Sequence, residues 1–335
     1  MIEAAGPEAQ IEDWLDQAAV MGVVEVLKHY SFFKEKLLTT VEEVVTLEPA
    51  FLLTIDYPGF NLRLAQRVKA RRPGIVTKQF VCPQVWAWKK GRIPKIAASI
   101  DQLVCLFPFE PKLFENYDID ARFVGHPLVD ELAAERVETS GRTENLVGLF
   151  PGSREREISS LLPSMLDAAV ILAGEFEKAG FEIPAATPQL KSLIETMVSS
   201  QEKWSQLDLT VSDGGSRVLM QRAACGVIAS GTATLEAACY GLPHCLVYRL
   251  AWATYLVAKA VVKIEHVGII NILGGREIVK ELIQADADAT AIASELRGFL
   301  SKPDRADNLS NELRSTAAQL GDTGASERVA DLLLG

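Results

Sequence analysis

"GVIASGTATLE" (226–236) runs an apolar stretch into a serine and a glycine and then directly into a segment with helical periodicity. The reading is a buried strand that stops at Ser230, a Gly231 that lets backbone approach a ligand, and a helix that starts near Thr232. Free N–H groups and the positive end of the helix dipole then face whatever lies above the sheet, which suits a diphosphate. Ser230 or Thr232 also fits a plain N-cap, and that alternative stays open. Glu236, one turn into the helix, is placed either to accept hydrogen bonds from ribose hydroxyls or to sit as a solvated carboxylate.

Two further turns share this chemistry. "LFPGSREREI" (149–158) offers a Pro-Gly turn, Ser153 as a possible cap and Arg154 at its mouth. An arginine has the charge and fork geometry to neutralise a leaving diphosphate, while an ion pair with Glu155 or Glu157 is the simpler reading. In "NILGGREIVKELIQ" (271–284), Asn271 reads as a reader of a uracil edge or as a turn cap, and Gly274 and Gly275 permit close backbone approach.

Outward from these turns, apolar runs alternate with helical periodicity along the chain, the pattern of parallel sheets flanked by helices. Strands are expected at 50–56, 74–81 and 102–107, then at 145–150, 181–187, 207–213, 225–230 and 244–248. Helices are expected near 34–47, 60–71 and 91–98, then near 155–179, 188–202, 216–224, 232–240 and 252–263. The polar segment "ERVETSGRTEN" (135–145) reads as a linker, giving an α/β protein of two Rossmann-like domains, 1–140 and 141–335, with a cleft between them. The C-terminal helices are candidates to pack back on the first domain. That domain opens on a polar, helix-like segment and is expected to lack its first βαβ part.

With 335 residues, 48% of them hydrophobic, the chain can bury a sizeable core, so disorder is excluded. No apolar run reaches the roughly 18 to 20 residues a bilayer span needs, and the start carries no signal-peptide pattern, so a cytoplasmic protein is expected. Five cysteines without a CxxC read as buried free thiols, and the scattered His29, His126, His244 and His266 offer no metal cluster. A net charge of −10 argues against nucleic acid as a partner. That average hides an asymmetry: Tyr57 to Ile100 holds ten Lys or Arg and no Asp or Glu.

In the first half, "TIDYPGFNLRLA" (54–65) ends a strand in Asp56, a candidate general base for a hydroxyl nucleophile or a turn-forming Asx residue. "FVCPQVWAWKKGRIPKI" (80–96) sets Trp86 and Trp88 beside Lys89, Lys90, Arg92 and Lys95, as the rim of a site for an anionic, greasy ligand or, for one indole, a core edge. "FVGHPLVDE" (123–131) places His126 at another strand end, by itself more often a turn histidine than a catalyst. The segment 20–38, with Phe32 and Phe33, fits an anionic leaflet, an acyl chain or an ordinary amphipathic helix.

Taken in order, "AVMGVVEVL", "IDYPGFN", "PQVWAWKKGRIPKI", "FPFE", "FVGHPLVDE", "PGSREREI", "ASGTATLE" and "NILGGREIVKELIQ" resemble lipid-A-disaccharide synthases over essentially the whole chain. The resemblance implies a GT-B fold and an inverting hexosyl transfer from UDP-2,3-diacylglucosamine to 2,3-diacylglucosamine 1-phosphate, without a metal or cofactor, at the cytoplasmic face of an anionic inner membrane. It implies Asp56 as catalytic residue and a donor side of Ser153, Arg154, Ser230, Gly231, Thr232, Glu236, Asn271, Gly274, Gly275 and Arg276. The acceptor and membrane side would hold Phe32, Phe33, Trp86, Trp88, Lys89, Lys90, Arg92 and His126. The family places a strand and a "GExSGD"-type loop ahead of the segment that starts here at Met1, and a chain without them is expected to show weak or no transferase activity. It also often has an aspartate at Gly59 and a proline at Ile270. The competing readings are a non-catalytic sugar-nucleotide or lipid binder and another GT-B enzyme, such as an epimerase.

Overall fold

The computed structural model describes residues 12–14, 30–87, 90–137, 141–250 and 265–334. Helix α1 (Tyr30–Leu47) leads into β1 (Phe51–Ile55), α2 (Pro58–Arg71), β2 (Val76–Phe80), α3 (Ile93–Ala97), β3 (Gln102–Cys105), β4 (Asp120–Phe123) and α4 (Leu128–Ala134). The next run is β5 (Thr143–Phe150), α5 (Glu155–Glu175), β6 (Gly180–Ala185), α6 (Pro188–Ser199), α7 (Glu202–Ser205), β7 (Leu209–Asp213) and α8 (Ser216–Arg222). It continues through β8 (Ala223–Ala229), α9 (Thr232–Cys239), β9 (His244–Tyr248), α10 (Ile269–Gly274) and β10 (Glu281–Ile283). Helices α11 (Ala289–Leu300), α12 (Pro303–Ala317) and α13 (Ala325–Leu334) follow.

Every strand pair is parallel, so each strand must return through a crossover that covers a sheet face. That is why β8 reads as a continuous apolar run rather than an alternating one. The first sheet has the order β1-β2-β3-β4 and the second the order β10-β9-β8-β5-β6-β7. Counted from its own first strand, the second is the doubly wound nucleotide-binding order, and the winding reverses between β5 and β8. These two strands approach closely: a Cβ on Gly226 would lie 2.9 Å from the Gly148 carbonyl and 3.1 Å from the Phe150 ring. Only glycine fits there without displacing the backbone opposite.

The larger core lies under this second sheet, where Leu162, Met165 and Leu166 of α5 meet Cys225, Val227 and the apolar face of α11. Helix α5 is long and apolar enough, by length and composition, to cross a membrane. The sequence reading had found no such run; in the fold the helix is a core element, with eight of its side chains buried. Phe107, after β3, shares a second buried cluster with Phe150 at the end of β5, so the carboxyl ends of the two sheets face one another. Helix α13 lays Val329 and Leu333 against Val104 of the first sheet, and Lys78 Nζ donates to the Leu333 carbonyl at 2.6 Å. The strand end read before His126 is that of β4, and β10 was missed in the sequence because three residues are too short to show a period. The expected helix at 252–263 lies outside the described residues.

Candidate active site

The reversal between β5 and β8 leaves a crevice above their carboxyl ends, with a cavity of about 390 Å³. It brings together Ser153, Arg154, Ser230, Gly231, Thr232 and Glu236. Helix α9 starts with Gly231 as N-cap and no side chain accepts from its first turn, so the capping role open to Ser230 and Thr232 is not taken up. The first-turn N–H groups therefore border the cavity without a side-chain acceptor. Across the crevice, Gly152 has φ +110°, and a Cβ there would collide with Glu157. Glu157 accepts from Ser153 N at 3.3 Å and from Arg154 Nη1 at 2.9 Å, so a carboxylate presently occupies donors that an anionic ligand would use. The Arg154 ion pair foreseen as the simpler reading is real, and it is solvent-facing.

Glu236 is not a solvated carboxylate. Its side chain is 13% exposed, and Arg217 donates to its Oε1 from Nε at 3.1 Å and from Nη2 at 2.8 Å. Arg217 went unnoticed in the sequence because it lies 19 residues away, on α8. A second cavity of about 410 Å³ continues from Arg154 and Ser230 past Arg156, Tyr248 and Arg249. A larger one, about 850 Å³, lies between α11, α12 and the segment 277–280 ahead of β10, away from the carboxyl ends of β5 and β8.

The third Gly-rich turn requires a correction. Asn271 is completely buried, and its side chain is fully engaged. Its Oδ1 accepts from Ile278 N and Val279 N at 2.8 and 2.9 Å, and its Nδ2 donates to Val279 O and Glu281 Oε1 at 2.9 and 2.8 Å. It caps the turn rather than reading a base, because no hydrogen-bonding capacity is left to offer a ligand. Gly274, Gly275 and Arg276 are likewise not brought to the crevice between β5 and β8, and Arg276 pairs with Glu312 on α12.

In the first half, Asp56 sits exposed at the carboxyl end of β1, with φ +48°, followed by Tyr57 at φ +40°. Two consecutive left-handed residues are strained, and the backbone is held there from both sides. Asn61 Nδ2 donates to the Asp56 carbonyl at 2.8 Å, and the buried Gln79 donates to the same carbonyl at 3.2 Å. The Asp56 carboxylate takes no hydrogen bond among the described residues, so the Asx-turn alternative is not realised. Beside it, a cavity of about 540 Å³ opens between α1 and α2, walled by Phe33, Tyr57 and Phe60 and edged by Lys34, Arg63 and Arg67. The sequence had counted Arg63 and Arg67 only as part of a cationic run. Within that run Lys69, Arg71 and Arg72 pair with Asp101, Glu42 and Glu48 from outside it.

Trp86 is half-buried, donates from Nε1 to Glu110 at 3.0 Å and stands edge-on to Phe107 and Phe109, so this indole is the core edge. Trp88 and Lys89 lie outside the described residues, while Lys90 and Arg92 are exposed. Phe32 and Phe33 are half-buried against Trp14. His126 accepts from Leu128 N at 3.1 Å, a turn histidine, and burial lowers its pKa to about 4 against the opposing pull of Glu131. The structure also gathers Cys82, Cys105 and Glu110, which spacing alone had not shown. Glu110 accepts there from the Leu106 and Phe107 N–H groups and from Trp86, which makes it the organiser of the turn after β3.

Two parallel sheets with facing carboxyl ends, and a crevice of about 390 Å³ where the second reverses, define the GT-B class of sugar-nucleotide enzymes. Solved structures agree in fold: the Staphylococcus aureus MnaA–UDP co-structure has a TM-score of 0.59 at 11% identity, covering 90% of this chain and 80% of that one. The Neisseria meningitidis UDP-GlcNAc 2-epimerase bound to UDP-GlcNAc has a TM-score of 0.55 at 14% identity, over 97% and 90%. Sequence resolves the class further. The family profile described as lipid-A-disaccharide synthetase matches residues 5–332, and the lipid-A-disaccharide synthase of Geobacter sulfurreducens is 37% identical over 98% of this chain and 86% of that protein. The chain belongs to the lipid-A-disaccharide synthase family.

Proposed function

We propose that the chain joins UDP-2,3-diacylglucosamine to 2,3-diacylglucosamine 1-phosphate, forming the β-1,6-linked disaccharide 1-phosphate and UDP. The observation that carries this is the meeting of Arg154, the uncapped N-terminus of α9 and Glu236 at the reversal between β5 and β8. There the helix N–H groups and Arg154 take the diphosphate, and Glu236 takes the ribose hydroxyls. Asp56 removes the proton from the acceptor 6-hydroxyl as its oxygen attacks the anomeric carbon. The bond from that carbon to the diphosphate oxygen breaks on the opposite face, and UDP leaves with the electron pair. The aromatic and cationic cavity beside Asp56 suits an acylated sugar phosphate.

In this reading, residues up to about 140 form the acceptor unit and residues from 141 the donor unit, with α13 returning to the first. The acceptor unit, with Phe32, Phe33, Lys90 and Arg92, works against an anionic inner membrane from the cytoplasmic side. Incubation with both acylated glucosamines tests the proposal: disaccharide 1-phosphate and UDP are expected in equal amounts. UDP-sugar binding without product would favour a non-catalytic binder, and conversion of the UDP-sugar to a C2 epimer would favour an epimerase.

A further inference from the structure

We propose that Arg217 is a positioning residue that fixes Glu236 as the ribose-recognising carboxylate of the donor site; this rests on the donor-site reading above. Both bonds from Arg217 end on the same oxygen of Glu236, Oε1, at 3.1 and 2.8 Å. Oε2 is thereby left without a protein partner among the described residues, on a side chain that lines the crevice. A carboxylate held by one oxygen has a fixed plane, and its second oxygen keeps both lone pairs for hydroxyl donors.

The fork is itself anchored. Arg217 Nη1 donates to Glu135 Oε1 at 2.6 Å and Nη2 to Glu131 Oε2 at 3.0 Å, so α4 and the segment after it hold the guanidinium from the side away from Glu236. Burial works against the charge of Arg217, and the bonds to Glu236 and Glu131 more than offset it, so its pKa is raised and it stays a cation. Glu236, half-buried one turn into a helix whose first turn no side chain caps, would otherwise be free to turn its carboxylate away from the crevice. Three carboxylates around one arginine are more than a surface ion pair needs. Their geometry makes sense if the orientation of Glu236 matters.

The test is a comparison of UDP with 2′-deoxy-UDP, titrated calorimetrically into the intact chain and its variants. The wild-type chain is expected to prefer UDP by about tenfold, the worth of a hydrogen bond to a charged group. Arg217→Ala should weaken UDP by about tenfold and leave 2′-deoxy-UDP nearly unchanged, so the preference collapses. In turnover, KM for the donor rises about tenfold while kcat changes by less than about threefold. Arg217→Lys, which keeps a charge but not the fork, should fall between the two. If Arg217→Ala does not fold, Arg217→Lys and the Glu131→Gln, Glu135→Gln pair carry the comparison, and a wild-type preference in both would overturn the proposal. Equal weakening of the two nucleotides, or no weakening, would also overturn it while leaving the donor site standing. A wild-type chain that binds UDP without preferring the ribose overturns this inference alone, and one that binds no UDP overturns the donor-site reading as well.

Discussion

The crevice at the ends of β5 and β8 and the turn at the end of β1 are built on opposite plans. At the crevice the charged groups are already held: Glu236 by Arg217, and Arg154 by Glu157. At the end of β1 the backbone is held and the side chain is not, since Asn61 and Gln79 bind the Asp56 carbonyl while its carboxylate stands exposed. The difference follows from what each place would do. The nucleotide proposed for the crevice is recognised by fixed donors and acceptors, whereas the base proposed at Asp56 must keep its lone pairs for one proton and be aimed by the chain beneath it.

The largest expected effect breaks this contrast at the end of β1, the proposed catalytic end. Asp56→Asn should lower turnover by roughly 10²–10⁴-fold, the usual worth of a general base, while UDP affinity stays within about twofold of wild type. Near-normal turnover would remove Asp56 from the mechanism. Next comes Arg154→Ala, expected to lower kcat by roughly 10²–10³-fold if its charge stabilises the departing diphosphate more than the bound one. A change confined to KM for the donor would mean that Arg154 serves binding only.

A third substitution sharpens the contrast by asking which polar groups are only structural. Asn271→Ala strips the Ile278 and Val279 N–H groups of their buried acceptor, and each unsatisfied group costs about 1–3 kcal/mol. Thermal or urea unfolding should show the loss, and the protein that remains folded should keep its affinity for UDP. Lost UDP affinity at unchanged stability would restore Asn271 to the ligand.

How much of this was readable along the chain depends on range. The strand, glycine and helix start at Ser230 to Thr232 are local, and their geometry follows from three adjacent residues. Arg217 meets Glu236 only because α8 and α9 flank the same strand, and no spacing rule links them. Gln79 is one of three polar residues in the five of β2, and its target, the Asp56 carbonyl, depends on the pairing of β1 with β2. The cationic run misled in the other direction. Counting charge along the chain treated ten cations as one field, yet Lys69, Arg71 and Arg72 are neutralised by acids that folding brings from outside the run. For Trp86 the sequence left rim and core edge both open, since the buried Glu110 that takes its N–H comes from the next strand's turn.

What survives of the cationic field is local, and it gives the smallest effect and the most discriminating one. Arg63 and Arg67 project from α2 at the edge of the cavity beside Asp56, exposed and with no acidic partner among the described residues. Exposed charges act through water, so each should contribute only about 0.5–1 kcal/mol to holding an acceptor phosphate. Arg63→Ala with Arg67→Ala should therefore raise KM for the acceptor by about tenfold, and the rise should shrink as salt is added, because ions screen such pairs over about 10 Å at 0.1 M. The donor KM should not move, and neither should the effect of Arg217→Ala, which acts through a largely enclosed pair. A double variant that weakens donor and acceptor alike, or whose penalty ignores salt, would show that the two ends are one continuous site. The contrast between a pre-paired nucleotide crevice and an open, unpaired acceptor edge would then be wrong.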